Sequence, residues 1–153
     1  MDTNIFIRYM ISYYNDYWGV LNDSLIRANA FIAGGAVLGA YTDDKINDLD
    51  IYIHASKAVA FVNTITSNNM YTISNRNNYL RPSYDQSFFR KNKILGRFSF
   101  IQEWDTSIKT RSQAIDERDI LPDIDIMIIP DETPILNVIT NFELTFSEIW
   151  YDA

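Results

Sequence analysis

The chain has no cysteine and a single histidine, and each shortage excludes a kind of site. Without thiols, the protein can form neither a disulfide nor a thiolate metal site. One imidazole, that of His54, is too few for a multi-histidine zinc site. Two common kinds of metal centre are thereby excluded.

Long hydrophobic runs are also missing. No apolar run approaches the roughly 18 residues that indicate a transmembrane helix. The first residues, MDTNIF, carry an acid and no basic stretch, which is not how a signal peptide begins. We therefore expect no membrane partner and a cytoplasmic protein, located in the host cytoplasm or the virion if it is viral. With 153 residues and 47% hydrophobic content, we expect a single domain over 1–153 with its own core.

The 13 lysine and arginine residues are outnumbered by 20 aspartate and glutamate residues, and the net charge is −7. Binding of nucleic acid over the whole surface is not expected, because phosphate contacts need clustered lysine and arginine. Six of the thirteen basic residues nevertheless fall in one stretch: Arg76, Arg81, Arg90, Lys91, Lys93 and Arg97. This stretch is either a solvated loop or a grip for a triphosphate or an acceptor, and both interpretations stay open.

The segment Phe31–Ile53, FIAGGAVLGAYTDDKINDLDIYI, is the most informative part of the chain. One hydrophobic run ends at Gly34 and Gly35, and Asp48 and Asp50 lie inside the next. In a β-strand, residues i and i+2 point to the same face, about 7 Å apart. Two neighbouring carboxylates repel each other unless a cation lies between them. Oxygen ligands of this kind suit Mg²⁺, or Mn²⁺ in its place.

The two glycines suit a phosphate site, because a backbone without Cβ atoms can turn sharply and approach a ligand closely. A helix that begins after them would direct its free N–H groups at a phosphate. We therefore predict that Gly34, Gly35 and Ala36 bind the nucleotide, with Lys45 as a further phosphate ligand. A phosphate-binding turn followed by a metal-binding strand indicates phosphoryl or nucleotidyl transfer.

These residues resemble the signature of the DNA polymerase beta-like nucleotidyltransferase superfamily. That signature is a hydrophobic residue and two small ones, a gap, and two acids alternating with hydrophobic residues, as in Ala33–Gly35 and Asp48–Ile51. The family's third carboxylate lies on a later strand, for which Asp125 in LPDIDIMIIP is the best match. Asp123 and Glu143 remain alternatives. The final segment, NFELTFSEIWYD, looks like part of nucleotidyltransferase-like proteins of large DNA viruses and phages.

The resemblance implies an enzyme that moves a nucleoside monophosphate from an NTP, such as ATP, to an acceptor hydroxyl. Asp48, Asp50 and Asp125 would be its catalytic residues and would hold two metal ions about 4 Å apart. A protein side chain, a small molecule and a nucleic-acid end all remain open as the acceptor. The alternative is a non-catalytic binding or assembly module with the same fold, which the acidic composition and small size favour.

The hydrophobic pattern predicts an α/β or α+β domain, with a nucleotidyltransferase-like core, a mixed central sheet and helices packed on it. A long N-terminal amphipathic helix is expected, because apolar residues recur at helical spacing and form one face: Ile7, Ile11, Tyr14, Trp18, Leu21 and Leu25. Further helices are expected at Ala36–Tyr41, at Ser56–Ser67, with Ser56 as its cap and Val59 on its buried side, and at Pro134–Thr140. Strands are expected at Phe31–Ala33, Leu49–Ile53, Tyr71–Ser74, Ile94–Ile101, Ile124–Ile129 and Phe142–Trp150. The stretches Asn75–Lys93 and Asp105–Asp119 are expected to be mainly loops.

Overall fold

A computed structural model describes residues 3–42, 45–46, 48–67, 70–74, 78–80, 94–140 and 150–152. The helices in these ranges are α1 (Thr3–Tyr14), α2 (Tyr17–Ala28), α3 (Gly35–Thr42), α4 (Ala55–Thr66), α5 (Arg111–Asp116) and α6 (Ile135–Ile139). The strands are β1 (Phe31–Ala33), β2 (Asp48–His54), β3 (Thr72–Ile73), β4 (Tyr79–Leu80), β5 (Gly96–Ile101), β6 (Asp123–Ile129) and β7 (Trp150–Asp152). The protein is thus a mixed α+β domain, as the pattern predicts.

All of these strands belong to one sheet, in the order β3-β5-β6-β2-β1-β7, with β4 paired to β5. The central strands β2 and β6 are parallel. The other described pairs are antiparallel. Parallel neighbours need a long crossover connection, and here the chain from α4 to α5 supplies it. The sheet is therefore mixed, with its only described parallel pair at the centre.

The main core lies on the sheet face that helices α1 to α4 cover. Side chains alternate along a strand, so every second residue of β2 and β6 points into this core. Five of these residues are fully buried: Leu49, Ile51, Ile53, Ile124 and Ile126. They pack with α1, α2, α3 and α4 side chains such as Phe6, Leu21, Val37 and Phe61.

The opposite sheet face is divided into an apolar half and a polar half. At the C-terminal end of the central strands, α6 covers the face and forms a second, smaller core. Its members include Ala33, Tyr52, Met127, Ile129, Ile135, Val138 and Ile139. The N-terminal end of the same strands carries aspartates and is not covered by α6.

The prediction of one long N-terminal helix is wrong, because two helices of 12 residues each meet at a sharp break. Asn15 has a φ of 51°, a left-handed conformation that asparagine tolerates better than most residues. Its N–H donates to the carbonyl oxygen of Ile11 at 2.7 Å and closes α1. The expected face also shifts, since Phe6 and Met10 are fully buried while Ile11 is 44% exposed.

Two details of α4 also differ from the prediction. Ser56 is not the cap, because α4 begins at Ala55 with His54 in the N-cap position. The backbone N–H of Ser56 donates instead to Oδ1 of Asp131 at 3.0 Å, a partner that lies far away in sequence. Val59 was expected on the buried side but is 70% exposed.

The remaining predicted elements are present to within a few residues. The stretch Asn75–Lys93, expected to be irregular, contains the short strand β4, and its residues 75–77 and 81–93 lie outside the described residues. Most of the predicted strand Phe142–Trp150 also lies outside them; the described part of that region is β7. Among the described residues, no helix combines the length and hydropathy needed to cross a membrane.

Candidate metal and nucleotide site

Four aspartates form a two-by-two array on the polar half of the sheet. The parallel register of β2 and β6 sets Asp48 opposite Asp123 and Asp50 opposite Asp125. Residues i and i+2 of a strand share a face, so all four point to the same side. Ligand oxygens of Asp48, Asp50 and Asp125 lie within 4.8 Å of one another. The structure thus brings together the three predicted metal ligands, here called the triad.

The triad is crowded with negative charge. Burial raises the pKa of Asp50 to about 7, and the charges of Asp48 and Asp125 add to the rise. Asp48 is the most exposed of the three. Desolvation, followed by the charge of Asp125, raises the pKa of Asp48. In both cases the Arg97 guanidinium opposes the increase. The cluster therefore favours any cation that can approach it.

Strand β5 supplies the partners of Asp125. Its antiparallel register sets Ser99 opposite Asp125, so Arg97, two residues earlier, faces the same side. Arg97 donates from Nη2 to Asp125 Oδ2 at 3.0 Å, and Ser99 donates from Oγ to Oδ1 at 2.5 Å. Asp125 is only 6% exposed. Both oxygens of this buried carboxylate are thus hydrogen-bonded.

Asp123, the fourth member of the array, pairs with an arginine of its own and is not part of the triad. Arg111 of α5 donates from Nη1 to Asp123 Oδ1 at 3.1 Å and to the carbonyl oxygen of Gln102 at 2.7 Å. Burial raises the pKa of Asp123 to about 6, and Arg111 opposes that rise. Of the two aspartates weighed from the sequence, it is Asp125 that joins the triad. Glu143 lies outside the described residues.

The glycine turn lies beside Asp50, because β1 pairs with β2 and sets Ala33 opposite Asp50. Gly34 has a φ of 81°, which favours glycine. A Cβ atom there would lie 3.0 Å from Oδ2 of Asp50. Gly34 therefore meets two needs, the backbone turn and the close approach of the carboxylate.

Helix α3 begins at Gly35, directly after this turn. Its first regular hydrogen bond runs from the N–H of Leu38 to the carbonyl oxygen of Gly34 at 3.2 Å. The N–H groups of the first helical residues have no partner within the helix. Ala36 packs its side chain into the main core, so only its backbone can serve a ligand. A Cβ atom on Gly35 would meet no atom within 4 Å.

A cleft of about 650 Å³ opens on the other side of the triad, along β5 and α5. The sheet order β5-β6-β2-β1 places the triad between this cleft and the glycine turn. Its lining includes Asp48, Ser74, Arg97, Ser99, Trp104, Arg111, Asp123 and Asp125. The arrangement offers one place for a ligand on each side of the carboxylates.

The described contacts of Lys45 and His54 are with residues outside the triad. Lys45 pairs with Oδ2 of Asp116 at 3.2 Å, and its side chain is 71% exposed. His54 lies at the opposite end of β2 from Asp48, with Nε2 2.8 Å from the carbonyl oxygen of Thr133. Neither contact involves the triad.

Sequence reasoning missed Ser99 and Arg111, and it treated Arg97 only as a member of the basic stretch. The alternation of Arg97 and Ser99 along a predicted strand shows that they share a face, but not which strand lies beside them. Arg111 lies on α5, within a stretch expected to be mainly loop. Its helix begins with a capping box formed by Thr110 and Gln113, a local pattern that could have revealed it.

The residues present fit a divalent cation. The triad supplies carboxylate oxygens, the ligands that Mg²⁺ and Mn²⁺ favour. One oxygen from each aspartate lies within 4.8 Å of the other two, so a small inward movement of the side chains would let one ion with bonds of about 2.1 Å contact all three. The Arg97 guanidinium forms an ion pair with Asp125 at 3.0 Å, so the cluster already has one positive charge beside it.

Fold and site together define an α+β protein with a carboxylate triad between a glycine turn and a cleft. The chain belongs to the Gabija anti-defense 2 family, whose model matches residues 4–153. No curated protein and no solved structure matches the chain significantly.

Proposed function

We propose that the protein is a metal-dependent nucleotidyltransferase that moves a nucleoside monophosphate from an NTP to an acceptor hydroxyl. The observation that carries the proposal is the triad, with oxygens within 4.8 Å of one another, beside the positive-φ turn at Gly34. The resemblance of Ala33–Gly35 and Asp48–Ile51 to the DNA polymerase beta-like signature supports the same reaction.

Asp48, Asp50 and Asp125 would hold Mg²⁺ or Mn²⁺. When bound, such a cation neutralises phosphate charge and lowers the pKa of an acceptor hydroxyl. The backbone N–H groups of Gly35 and Ala36, at the start of α3, bind the triphosphate. The cleft on the other side of the triad admits the acceptor, so that its hydroxyl reaches the α-phosphorus next to Asp125. Pyrophosphate leaves on the side of the glycine turn.

The family description names what its members counter, the Gabija defence. We propose that nucleotidyl transfer is the means by which this protein does so. The same fold used only as a binding module would not require an intact triad. The two functions therefore differ in their dependence on the aspartates.

The biochemical test uses the double variant Asp48→Asn, Asp50→Asn. The unaltered protein should bind an NTP in Mg²⁺ but not in EDTA, because the triad repels a triphosphate without a cation. It should release pyrophosphate when supplied with an acceptor. The double variant should remain folded and lose both properties. Asp23→Asn, which removes an exposed acid from α2, is the matched control and should behave as the unaltered protein.

Equal nucleotide affinity in EDTA and Mg²⁺, or normal pyrophosphate release by the double variant, would contradict the proposal. The biological test compares the same proteins in cells that carry Gabija. Loss of the anti-Gabija effect in the folded double variant would support the enzyme. A retained effect would favour the non-catalytic module instead.

A further inference from the structure

We infer that Arg97 is a built-in counter-cation of the triad, which a divalent ion must displace from Asp125 in order to bind. The inference rests on the proposed function, because it takes the triad to be a metal site. It adds a role for a residue that lies outside the triad: Arg97 controls the entry of the metal and then faces the substrate.

Both carboxylate oxygens of Asp125 already accept a hydrogen bond. Its Oδ2 accepts from Arg97 at 3.0 Å and its Oδ1 accepts from Ser99 at 2.5 Å. The carboxylate is buried, with its side chain 8% exposed. A metal that contacts Asp125 must therefore take an oxygen that already has a hydrogen-bond donor. Ser99 is a neutral donor and can share its oxygen, whereas Arg97 carries a full charge.

The charge of the two donors determines which of them, Arg97 or Ser99, must move when the metal binds. A guanidinium about 5 Å from a divalent ion repels it, even at the dielectric constant of water, by enough to weaken binding about tenfold. The effect is larger in a partly buried site, where water screens less. Arg97 is therefore expected to move when the metal binds, and its 32% exposed side chain lies at the cleft, which gives it room to do so.

The displaced guanidinium has a use. Arg97 lines the cleft next to the triad, where the acceptor and the α-phosphate of the NTP meet in the proposed reaction. Guanidinium groups bind phosphate oxygens with two parallel hydrogen bonds. In the structure, the Arg97 guanidinium is paired with the carboxylate of Asp125. Metal binding would thus redirect this cation from the protein's own carboxylate to the phosphate of the substrate.

The chain provides a matched control on the same sheet face. Arg111 pairs with Asp123 at 3.1 Å, much as Arg97 pairs with Asp125. Their side chains are similarly exposed, at 27% and 32%. Asp123 is not part of the triad. Removing either arginine subtracts one positive charge from the cleft, but only one removal frees a triad oxygen.

The experiment titrates the full-length protein with Mn²⁺ alone, followed by electron paramagnetic resonance of the free ion. Arg97→Met should bind Mn²⁺ at least about tenfold more tightly than the unaltered protein. Arg97→Lys, which keeps the charge on a shorter side chain, should lie between the two. Arg111→Met should change the affinity by less than about threefold, because it acts only through the screened field of a more distant charge. Circular dichroism verifies that each variant is folded.

Unchanged or weaker Mn²⁺ binding by folded Arg97→Met would overturn the inference, as would an equal gain in Arg111→Met. If neither the unaltered protein nor any variant binds Mn²⁺, the proposed metal site itself fails. A second measurement uses a non-hydrolysable ATP analogue at saturating Mn²⁺. Here Arg97→Met should bind the analogue several-fold more weakly, so that the variant gains metal affinity and loses nucleotide affinity. Unchanged analogue affinity would overturn the phosphate contact.

Discussion

Removing one charge from the triad should stabilise the metal-free protein. Burial, together with the charges of Asp48 and Asp125, raises the pKa of Asp50 to about 7. Above that pH, folding must place an ionised carboxylate next to two others. Asp50→Asn keeps the shape of the side chain and removes its charge. We therefore expect the variant to unfold at a higher urea concentration than the unaltered protein in EDTA.

The pKa of Asp50 sets the size and the sign of the expected change in the free energy of unfolding. It rises from the ordinary value of 3.8 to about 7 on folding. The stabilisation that the protonated group provides is full below pH 3.8 and is lost as the pH rises through about 7. The gain from Asp50→Asn is therefore about 2 kcal/mol at pH 5.5 and rises to about 4 kcal/mol at pH 8. The raised pKa values of Asp48 and Asp123 change the stability of both proteins in the same direction.

The assay is urea unfolding of both proteins at pH 5.5 and pH 8 in EDTA. Asp23→Asn removes the same charge from an exposed position and should change the free energy of unfolding by less than about 0.5 kcal/mol. In excess Mg²⁺ the unaltered protein should become the more stable of the two, because a ligand that binds only the folded state stabilises the protein that binds it best. A gain that is equal at the two pH values, or no gain at pH 8, would refute the reasoning.

Two further pairs of variants test the turn and the packing beneath the site. Gly34→Ala should cost about 1–3 kcal/mol in thermal unfolding, because its positive φ strains an L-residue. Gly35→Val should leave stability within about 1 kcal/mol, since a Cβ atom at this position meets no atom within 4 Å, yet weaken NTP binding measured by calorimetry. Unchanged NTP affinity would remove the phosphate-binding role. The buried Tyr71 hydroxyl donates to the carbonyl oxygen of Pro122 at 2.5 Å, so Tyr71→Phe should cost about 1–2 kcal/mol in urea unfolding, because that carbonyl loses its closest donor. Tyr41→Phe, at an exposed position, should change nothing, and an equal loss in both would contradict the explanation.

The parts of the site that the sequence predicts are the local ones. Gly34 and Gly35 are adjacent, and Asp48 and Asp50 follow the two-residue period of a strand, so their relation needs no knowledge of the fold. The resemblance to a known signature extends this to Asp125. In each case, a short sequence pattern is enough to predict which side chains lie next to each other.

The missed parts depend on contacts between distant segments. Arg97 reaches Asp125 only because β5 lies beside β6 in a specific register, and no local pattern states which strands are neighbours. The hydrogen bond from the Ser56 N–H to Asp131 at the start of α4 is similar, since Asp131 comes from another loop. The break at Asn15 is different in kind, because its helical periodicity continues across a residue whose backbone conformation ends the helix.

The register that assembles the triad is fixed by the core beneath it. Ile124 and Ile126 are fully buried on the opposite face from Asp125. A shift of β6 by one residue would turn these isoleucines toward solvent and drive Asp125 into the apolar core, which costs far more than any gain at the site. Hydrophobic packing can therefore hold three repelling carboxylates together without a metal. The sequence LPDIDIMIIP specifies the core and the site with the same alternation, and the stability that the core supplies offsets the repulsion in the triad.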